Sequence, residues 1–339
     1  MPGAGLVARY SPFERGGHPV SIRTIHADDV ARGRVFPCEI WSPVPGGSGG
    51  WGPFPLIVFA HGSGGNRRSA AFLCSHLASH GYVVAALDHS EVIAPELAGR
   101  ADETAAERAA RIDSIIASRV PDVRFLLDFL LGGGVAAAAS DGVARLDFDR
   151  DAIGLVGHSF GGWTVLAVPE TDSRVSAIVA LGPGGNSRPR PGILPLTLTF
   201  TWSRVVPVLY LAAADDVPIP LDAVLELYGR TPGTRRMFVL HRADHQHFLD
   251  DVEGEHEALR AMTLPGEAAW IPAAMRPMSE LCSGEQAHLF VRGLTLAHLD
   301  AALKRSQAPE EFLALHAEAE LVARGVEAAA GDPRTGRAR

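Results

Sequence analysis

Six short apolar runs, separated by segments of helical pattern, constrain the fold of this chain more than any other feature. The runs are PLIVFAHG, YVVAALDH, AIGLVGHS, VSAIVALGP, VPVLYLAAADD and RMFVLHRADH. Near-continuous apolar runs are typical of strands buried on both faces, and their alternation with helices predicts a parallel sheet. Two earlier runs, PVSIRTIHA and RVFPCEIWSPV, lie close together and predict an antiparallel pair at one edge. The sequence therefore predicts an α/β fold with a mostly parallel, eight-stranded sheet and helices on both faces.

The regular alternation predicts that residues 1–339 form a single domain. Two segments interrupt it: residues 184–203, rich in Pro and Gly, and residues 252–282, between the last strand and the final helix. Long irregular insertions of this kind are candidate lids over a site. Pro121 falls within a helical segment and is expected to break or kink it. Residues 331–339 have little to bury and are expected to form a loose tail.

Composition and charge limit which partners and which cellular compartment we expect. The formal net charge is -8 and the sequence has no basic stripe, so we expect small-molecule partners and no nucleic acid. Cys38, Cys74 and Cys282 are too scattered for a disulfide framework and form no CxxC pair. The first residues lack the pattern of a signal peptide, and no apolar run is long enough to cross a bilayer. We therefore expect a cytoplasmic protein without membrane insertion. The sequence does not indicate an oligomeric state.

The hexapeptide GHSFGG joins the strand AIGLV to the helical start WTVLAV. In this strand, turn and helix context, a G-x-S-x-G match predicts a nucleophile elbow. Gly157 and Gly161 would let strand and helix backbones approach closely, which leaves Ser159 in a strained conformation above the sheet. The alternative is a glycine-rich turn that contains a serine by chance.

A resemblance to known families adds to this pattern. FAHGSGGNRRSAAFLCSHLASHGYVVAALDH, GHSFGG and DHQHFLDD together resemble the platelet-activating-factor acetylhydrolases and, more loosely, the dienelactone-hydrolase-like proteins and cutinases. The resemblance implies an α/β-hydrolase fold and a serine esterase. Dienelactone hydrolases proper use cysteine at the elbow, so Ser159 departs from their usual chemistry.

An oxyanion hole needs two backbone N–H donors. One is expected from Phe160, the residue after the nucleophile, and the other from the loop after PLIVFAHG. In the resembling family the residue after the His-Gly pair supplies the second N–H, which implies Ser63 here. The alternative for HGSGGN is a flexible turn or a phosphate-binding nest, although it lacks the spacing and the Lys of a P-loop.

The acid should lie between Ser159 and the last histidines, because the chain order in this fold is Ser, acid, His. LYLAAADDVPIP ends a strand with two carboxylates. Asp216 stands four residues before Pro220, which matches the spacing in cutinase-like enzymes, so we favour it over Asp215. The resembling acetylhydrolases carry their acid one strand earlier, where this chain has Gly182.

The stretch HRADHQHFLDD contains three histidines and three aspartates. A Ser-His hydrolase needs one neutral imidazole after the last strand, and His245 occupies the position that the cutinase and acetylhydrolase motifs imply. His247 and His241 are expected to be bystanders. Zinc bound by His241 and His245 is the alternative, but the stretch follows a strand pattern and lacks the Glu of an HExxH helix. We therefore expect no metal site.

The sequence thus predicts a carboxylic ester hydrolase that works through an acyl-enzyme on a small-molecule ester and needs no cofactor or metal. A thioesterase, lactonase or amidase with the same triad is the alternative among enzymes. A binding protein that keeps the fold without turnover is the alternative among other proteins. Three tryptophans are expected either to pack the core and lid or to line an acyl or alcohol pocket: Trp163, Trp202 and Trp270.

Overall fold

The computed structural model describes residues 10–44, 52–135 and 146–331. Apart from Gly331, the predicted tail lies outside these residues. The described strands are β1 (Val20–Asp29), β2 (Arg34–Pro43), β3 (Phe54–Ala60), β4 (Val83–Leu87), β5 (Phe148–His158), β6 (Ala177–Leu181), β7 (Val208–Ala213), β8 (Arg235–Leu240) and β9 (Ala328–Ala330).

The strands are connected by helices and short helical turns. The α-helices are α1 (Ala71–Ser79), α2 (Ser90–Ile93), α3 (Ala105–Leu131), α4 (Phe160–Ala167), α5 (Leu221–Arg230), α6 (Val252–Ala261), α7 (Ile271–Ala274), α8 (Gly284–Leu303), α9 (Gln307–Glu311) and α10 (Ala317–Val322). A π-helical turn, Phe312–His316, links the last two. The 3₁₀ turns are Pro95–Leu97, Val168–Glu170, His245–Phe248, Gly266–Ala268 and Met278–Glu280. No helix in the described ranges is long and apolar enough to cross a membrane.

All the described strands belong to one sheet, in the order β1-β2-β4-β3-β5-β6-β7-β8-β9. The pairs from β4 to β8 are parallel. Strands β1 and β2 pair antiparallel at one edge, as predicted. The predicted count of eight strands is wrong: within the described residues the sheet has nine, because the three alanines of β9 add an antiparallel edge strand to β8. Alanine is depleted in strands, so β9 could not be recognised from its sequence. The predicted α/β class with a mostly parallel sheet is confirmed.

The parallel part of the sheet is buried on both faces. Successive side chains of a strand point to opposite faces, and Val58 and Phe59 accordingly belong to different clusters of the core. Helices α1 and α8 cover the face of Phe59, while α3, α4 and α5 cover the face of Val58. This two-sided burial explains why the strand sequences are apolar at nearly every position.

Helix α3 runs for 27 residues through Pro121, so the predicted break does not occur. A capping box of Thr104 and Glu107 fixes the start of this helix. Pro121 deprives one carbonyl, that of Ala117, of its helical donor. Both residues are exposed, so water can hydrate that carbonyl, and the helix continues.

Parallel pairing brings the carboxyl ends of six strands, β3 to β8, to one end of the sheet. Those ends are Ala60, Leu87, His158, Leu181, Ala213 and Leu240. In open α/β sheets, ligands bind outside the carboxyl ends of the strands. The loops that follow these strands are therefore the place to look for the candidate site.

Candidate active site

Ser159 occupies a sharp turn between β5 and α4. Its backbone has φ 57° and ψ −114°, a conformation that a side-chain-bearing residue rarely adopts. A Cβ on Gly157 would lie 2.2 Å from the carbonyl oxygen of Gly161, and a Cβ on Gly161 would lie 1.9 Å from that of Ala60. Both glycines are therefore required by the close approach of strand and helix. The N–H of Ser159 donates to the carbonyl of Leu181 at 2.9 Å, which holds the turn against the end of β6.

The imidazole of His245 links a serine to a carboxylate. Its Nε2 lies 2.8 Å from Ser159 Oγ, and its Nδ1 lies 2.7 Å from Asp216 Oδ2. His245 and Asp216 are 7% and 5% exposed, so their hydrogen bond lies out of bulk water. The three side chains come from the loops after β5, β7 and β8, as the sequence predicts. This arrangement can take a proton from the serine hydroxyl and stabilise the imidazolium that forms.

The two neighbouring aspartates after β7 have different partners. Asp216 also accepts a 2.7 Å hydrogen bond from the N–H of Ile219, which fixes its carboxylate. Asp215 turns the other way, and its Oδ1 accepts a 3.0 Å hydrogen bond from Arg276. Of the two carboxylates that the sequence left open, the one that contacts His245 is thus that of Asp216.

Gly182 lies beside this hydrogen bond, at the end of β6. A Cβ on Gly182 would be 3.3 Å from Asp216 Oδ2 and 3.6 Å from His245 Nδ1. A carboxylate attached at residue 182 would therefore start within reach of the same imidazole nitrogen. A carboxylate at the end of either β6 or β7 could thus reach His245 Nδ1, and in this chain the carboxylate comes from the loop after β7.

Neighbouring charges adjust the pKa of the site histidine. Burial alone would lower the pKa of His245, but the charge and the hydrogen bond of Asp216 outweigh it and raise the pKa above its ordinary value of 6.5. The carboxylate of Asp244 adds to the increase. Burial lowers the pKa of His158 and of His61 well below 6.5, so both are neutral at physiological pH. Of these three imidazoles, His245 is the one whose surroundings favour the protonated form.

The loop after β3 passes directly beside the elbow. A Cβ on Gly62 would lie 3.3 Å from the Cβ of Ser159, so the loop passes the nucleophile at Gly62, the residue before Ser63. Phe160 begins α4, where N–H groups have no intrahelical partner. Among the described residues, neither the N–H of Ser63 nor that of Phe160 has a hydrogen-bond partner. These are the two donors that the sequence predicts for an oxyanion hole.

The other residues of HRADHQHFLDD serve the structure around His245. His247 is fully buried and lies 3.1 Å from the carbonyl oxygen of Cys282. Asp250 accepts from the N–H of Phe72 at the start of α1, and Asp251 accepts from Gly254 at the start of α6. In the part of the chain that the structure describes, no group of three or more His, Cys, Asp or Glu side chains is arranged to hold a metal ion.

Asp244 has a role that the sequence reasoning missed. Its Oδ1 accepts from the N–H of His245 at 2.6 Å and from the N–H of Val217 at 2.9 Å. It is 1% exposed, and its Oδ2 lies 3.8 Å from Nδ1 of His256. The sequence offered only the density of aspartates as a signal, because the partner at Val217 lies on a different loop.

The two candidate lid segments meet beside Asp216. Val217 packs against Ile271 and Met275 of the second segment. Its carbonyl accepts a 2.7 Å hydrogen bond from Arg190 of the first segment. Arg190 also lies over the ring of Trp270, 5.4 Å from its centroid. The residue after Asp216 is therefore held by both segments.

The three tryptophans hold the first segment in place. Trp163 and Trp270 donate their indole N–H groups to the carbonyls of Thr197 and Pro191, which belong to that segment. Trp202 lies within the segment and donates to the carbonyl of Leu166 in α4. Each indole N–H thus ties this segment to a neighbouring part of the chain.

Comparisons with known proteins match the resemblance given by the sequence. The family model described as platelet-activating factor acetylhydrolase, isoform II, matches residues 37–117, which contain Ser63 but end before Ser159. The platelet-activating factor acetylhydrolase of Canis lupus familiaris is 27% identical over 228 residues, 58% of this chain and 48% of that protein. The enzyme of Cavia porcellus is 26% identical over 225 residues, with the same coverage of each chain. The chain spans about half the length of the curated relatives it matches.

A solved structure supports the fold over a larger part of the chain. A ferulic acid esterase from Streptomyces cinnamoneus superposes with a TM-score of 0.57 and 22% sequence identity, and covers 89% of this chain and 93% of that one. The predicted α/β-hydrolase fold is confirmed, and so is the resemblance to the platelet-activating-factor acetylhydrolases.

Proposed function

We propose that this protein is a serine hydrolase that cleaves carboxylic esters through an acyl-enzyme. The observation that carries the proposal is the continuous hydrogen-bonded chain from Asp216 through His245 to Ser159, with the serine in a strained elbow at φ 57°. A serine that occurs by chance in a glycine-rich turn is not expected to form a hydrogen bond with a buried His-Asp pair. Strained backbone of this kind clusters at active sites, where it is part of the mechanism.

Each residue has a defined step. His245 Nε2 accepts the hydroxyl proton as Ser159 Oγ attacks the ester carbonyl, and Asp216 stabilises the imidazolium. The N–H groups of Ser63 and Phe160 bind the tetrahedral oxyanion. His245 then gives its proton to the leaving alcohol, which leaves an acyl group on Ser159. Water, activated by the same imidazole, releases the acid and restores the enzyme.

The names of the similar proteins suggest where to search for the substrate. The matched relatives are acetylhydrolases, and the structural neighbour is a ferulic acid esterase. An acetyl ester and a hydroxycinnamoyl ester therefore belong in the first substrate panel. We propose a small-molecule ester as the substrate, with neither nucleic acid nor a resident cofactor involved.

The test uses p-nitrophenyl esters of graded acyl length, the methyl ester of ferulic acid, a thioester and an anilide. We expect turnover of a short-chain ester that a fluorophosphonate abolishes and that EDTA leaves unchanged. Preferred turnover of the thioester or the anilide would identify the alternative reaction with the same triad. A protein that turns over none of these compounds and is not labelled by the fluorophosphonate would contradict the proposal.

The remaining proposals concern organisation and location. We propose one catalytic domain in which residues 184–203 and 252–282 form the lids, because both segments contact the loop of Asp216. The cytoplasmic location stays a prediction. Cys38, Cys74 and Cys282 are free and buried, which is compatible with a reducing compartment. Fractionation of the source cells would test the location.

A further inference from the structure

A buried arginine contacts both parts of the candidate oxyanion hole. Arg119 lies in α3 and has no exposed surface. Its Nη1 donates a 2.7 Å hydrogen bond to the carbonyl oxygen of His61, and its Nη2 lies 3.4 Å from that of Gly62. Its guanidinium also stacks on the ring of Phe160, 4.0 Å from the centroid. Glu91 forms an ion pair with it, so the buried charge is compensated.

These contacts act on the orientation of one peptide group. In a trans peptide the C=O and the following N–H point in opposite directions. The carbonyl of Gly62 and the N–H of Ser63 belong to the same peptide, so a donor that fixes the carbonyl also aims the N–H. Arg119 holds this carbonyl weakly, at 3.4 Å, and holds the preceding carbonyl firmly. Two further contacts to Gly62 O, from His61 Nδ1 at 2.8 Å and Gly65 N at 3.2 Å, complete its surroundings.

The tautomer of His61 agrees with this arrangement. The N–H of His89 donates to Nε2 of His61, so this nitrogen carries no proton. The proton of the neutral ring is therefore on Nδ1, which donates it to Gly62 O. The carbonyls of His61 and Gly62 thus accept hydrogen bonds from several donors, and Arg119 is the charged one among them.

The contact with Phe160 links the same guanidinium to the other donor. The ring of Phe160 also stacks on Trp163, 5.5 Å between centroids, and the two rings belong to the first turns of α4. A fixed ring restricts the first residue of the helix, whose N–H is the second donor. One buried group thus contacts the loop of Ser63 on one side and the residue Phe160 on the other.

We propose that Arg119 is the positioning residue of the oxyanion hole. This inference rests on the proposed ester hydrolysis and deepens it. Arg119 does not touch the substrate, and it acts through the peptide of Ser63 and the ring of Phe160. Oxyanion donors act on the transition state, so the loss of Arg119 lowers kcat and leaves KM nearly unchanged.

The experiment compares Arg119→Met, Arg119→Lys and the wild type with a short-chain p-nitrophenyl ester. We expect kcat/KM to fall about 10²-fold in Arg119→Met, the order that removal of one oxyanion donor costs, with KM within about threefold. Arg119→Lys keeps the charge but loses the planar fork, so we expect a loss of about tenfold. The affinity for an alkyl boronic acid, which forms a tetrahedral anion on the serine, should fall by the same factors.

The control is Arg174→Met. Arg174 pairs with Asp172 and Asp128. It lies just before the start of β6, whereas the site lies beyond the end of that strand. Its loss should therefore lower Tm without a change in kcat or boronate affinity. Thermal unfolding of every variant separates lost folding from lost positioning. If Arg119→Met does not fold, Arg119→Lys and Phe160→Leu carry the test, the latter with an expected loss of about tenfold in kcat.

Two results would overturn this inference and leave the proposed ester hydrolysis intact. One is an active wild type together with a folded Arg119 variant whose kcat/KM stays within threefold. The other is a loss of kcat/KM with unchanged boronate affinity. A wild type that hydrolyses no ester would overturn the proposed function and this inference with it.

Discussion

The carboxylate of Asp244 accepts a 2.9 Å hydrogen bond from the backbone N–H of Val217 and thereby joins the loop after β8 to the loop after β7. The same oxygen accepts from the N–H of His245 at 2.6 Å. Val217 follows Asp216, and Asp244 precedes His245. One buried carboxylate therefore sets the separation between the acid and the base.

Two substitutions at Asp244 separate its geometry from its charge. Asp244→Ala leaves two buried N–H groups unpaired, which costs about 1–3 kcal/mol for each group. We expect a lower Tm and a loss of up to about 10²-fold in kcat, because the acid and the base lose their common anchor. Asp244→Asn keeps an acceptor oxygen, so kcat should stay within about tenfold of the wild type. Equal activity of the two variants would contradict the anchoring role.

Substitution of the serine and of the histidine tests the reaction itself. Ser159→Ala and His245→Ala should each lower kcat by about 10⁶, because the members of a triad act as a unit. His241→Ala is the matched control from the same stretch, and kcat should stay within about tenfold. An inactive His247→Ala protein that is folded, together with an active His245→Ala protein, would show that the base is assigned to the wrong histidine.

Two neighbouring aspartates offer a matched test of the acid. Asp216→Asn should lose about 10³ to 10⁴ in kcat, because the amide favours the wrong imidazole tautomer and cannot stabilise its charge. Asp215→Asn breaks only the charge pair with Arg276 in the second lid segment, so kcat should change far less. Steady-state kinetics on one ester decides between them. The reverse order of effects would identify Asp215 as the acid.

The convergence of two strand ends allows the acid to be moved. Gly182 has φ +45°, close to the left-handed region that Asp adopts more readily than most residues. A Cβ at residue 182 would lie 3.2 Å from Phe248 Cε2 and 3.3 Å from Asp216 Oδ2. Asp216→Ala removes the second of these neighbours, so Gly182→Asp should place a carboxylate near Nδ1 of His245 once the ring of Phe248 shifts by a few tenths of an ångström. We expect at least about tenfold recovery of kcat over Asp216→Ala alone, since an oriented carboxylate restores the tautomer. Gly182→Asn is the control, and recovery with Asn as well would exclude a charge effect.

The pH dependence follows from the pKa of His245. The base works as a neutral imidazole, so kcat/KM falls as the pH drops through this pKa. Asp216 and Asp244 both raise the pKa, so the midpoint of the acid limb should lie above 6.5. Asp244→Asn removes one negative charge, which lowers the pKa and moves the limb to lower pH. A pH profile of kcat/KM measures the midpoint of the acid limb in the wild type and its shift in Asp244→Asn. A limb that moves to higher pH in Asp244→Asn would contradict the role of His245 as the base.

Local patterns of the sequence were sufficient for much of the fold and of the site. Strands buried on both faces are apolar along most of their length, so the six parallel strands could be predicted from single stretches. The antiparallel edge pair could be predicted because its two runs lie close together in the sequence. Ser159 could be found because the elbow needs Gly157 and Gly161 at fixed spacing around it. The edge strand β9 escaped because three alanines carry no strand pattern, and its pairing with β8 is a contact between distant parts of the chain.

The spacing to Pro220 favoured Asp216 over Asp215, but which carboxylate contacts His245 is decided by the tertiary structure. Both carboxylates end the same strand, and the backbone of the turn decides which one points to His245 and which one to Arg276. The roles of Asp244 and Arg119 depend likewise on partners that are distant in the chain or belong to another loop: Val217 for Asp244, and His61 and Phe160 for Arg119. A sequence pattern reports which residues are neighbours along a strand or a helix. The direction of a side chain at a loop, and the group it meets there, are set by the packing of the whole sheet and its helices.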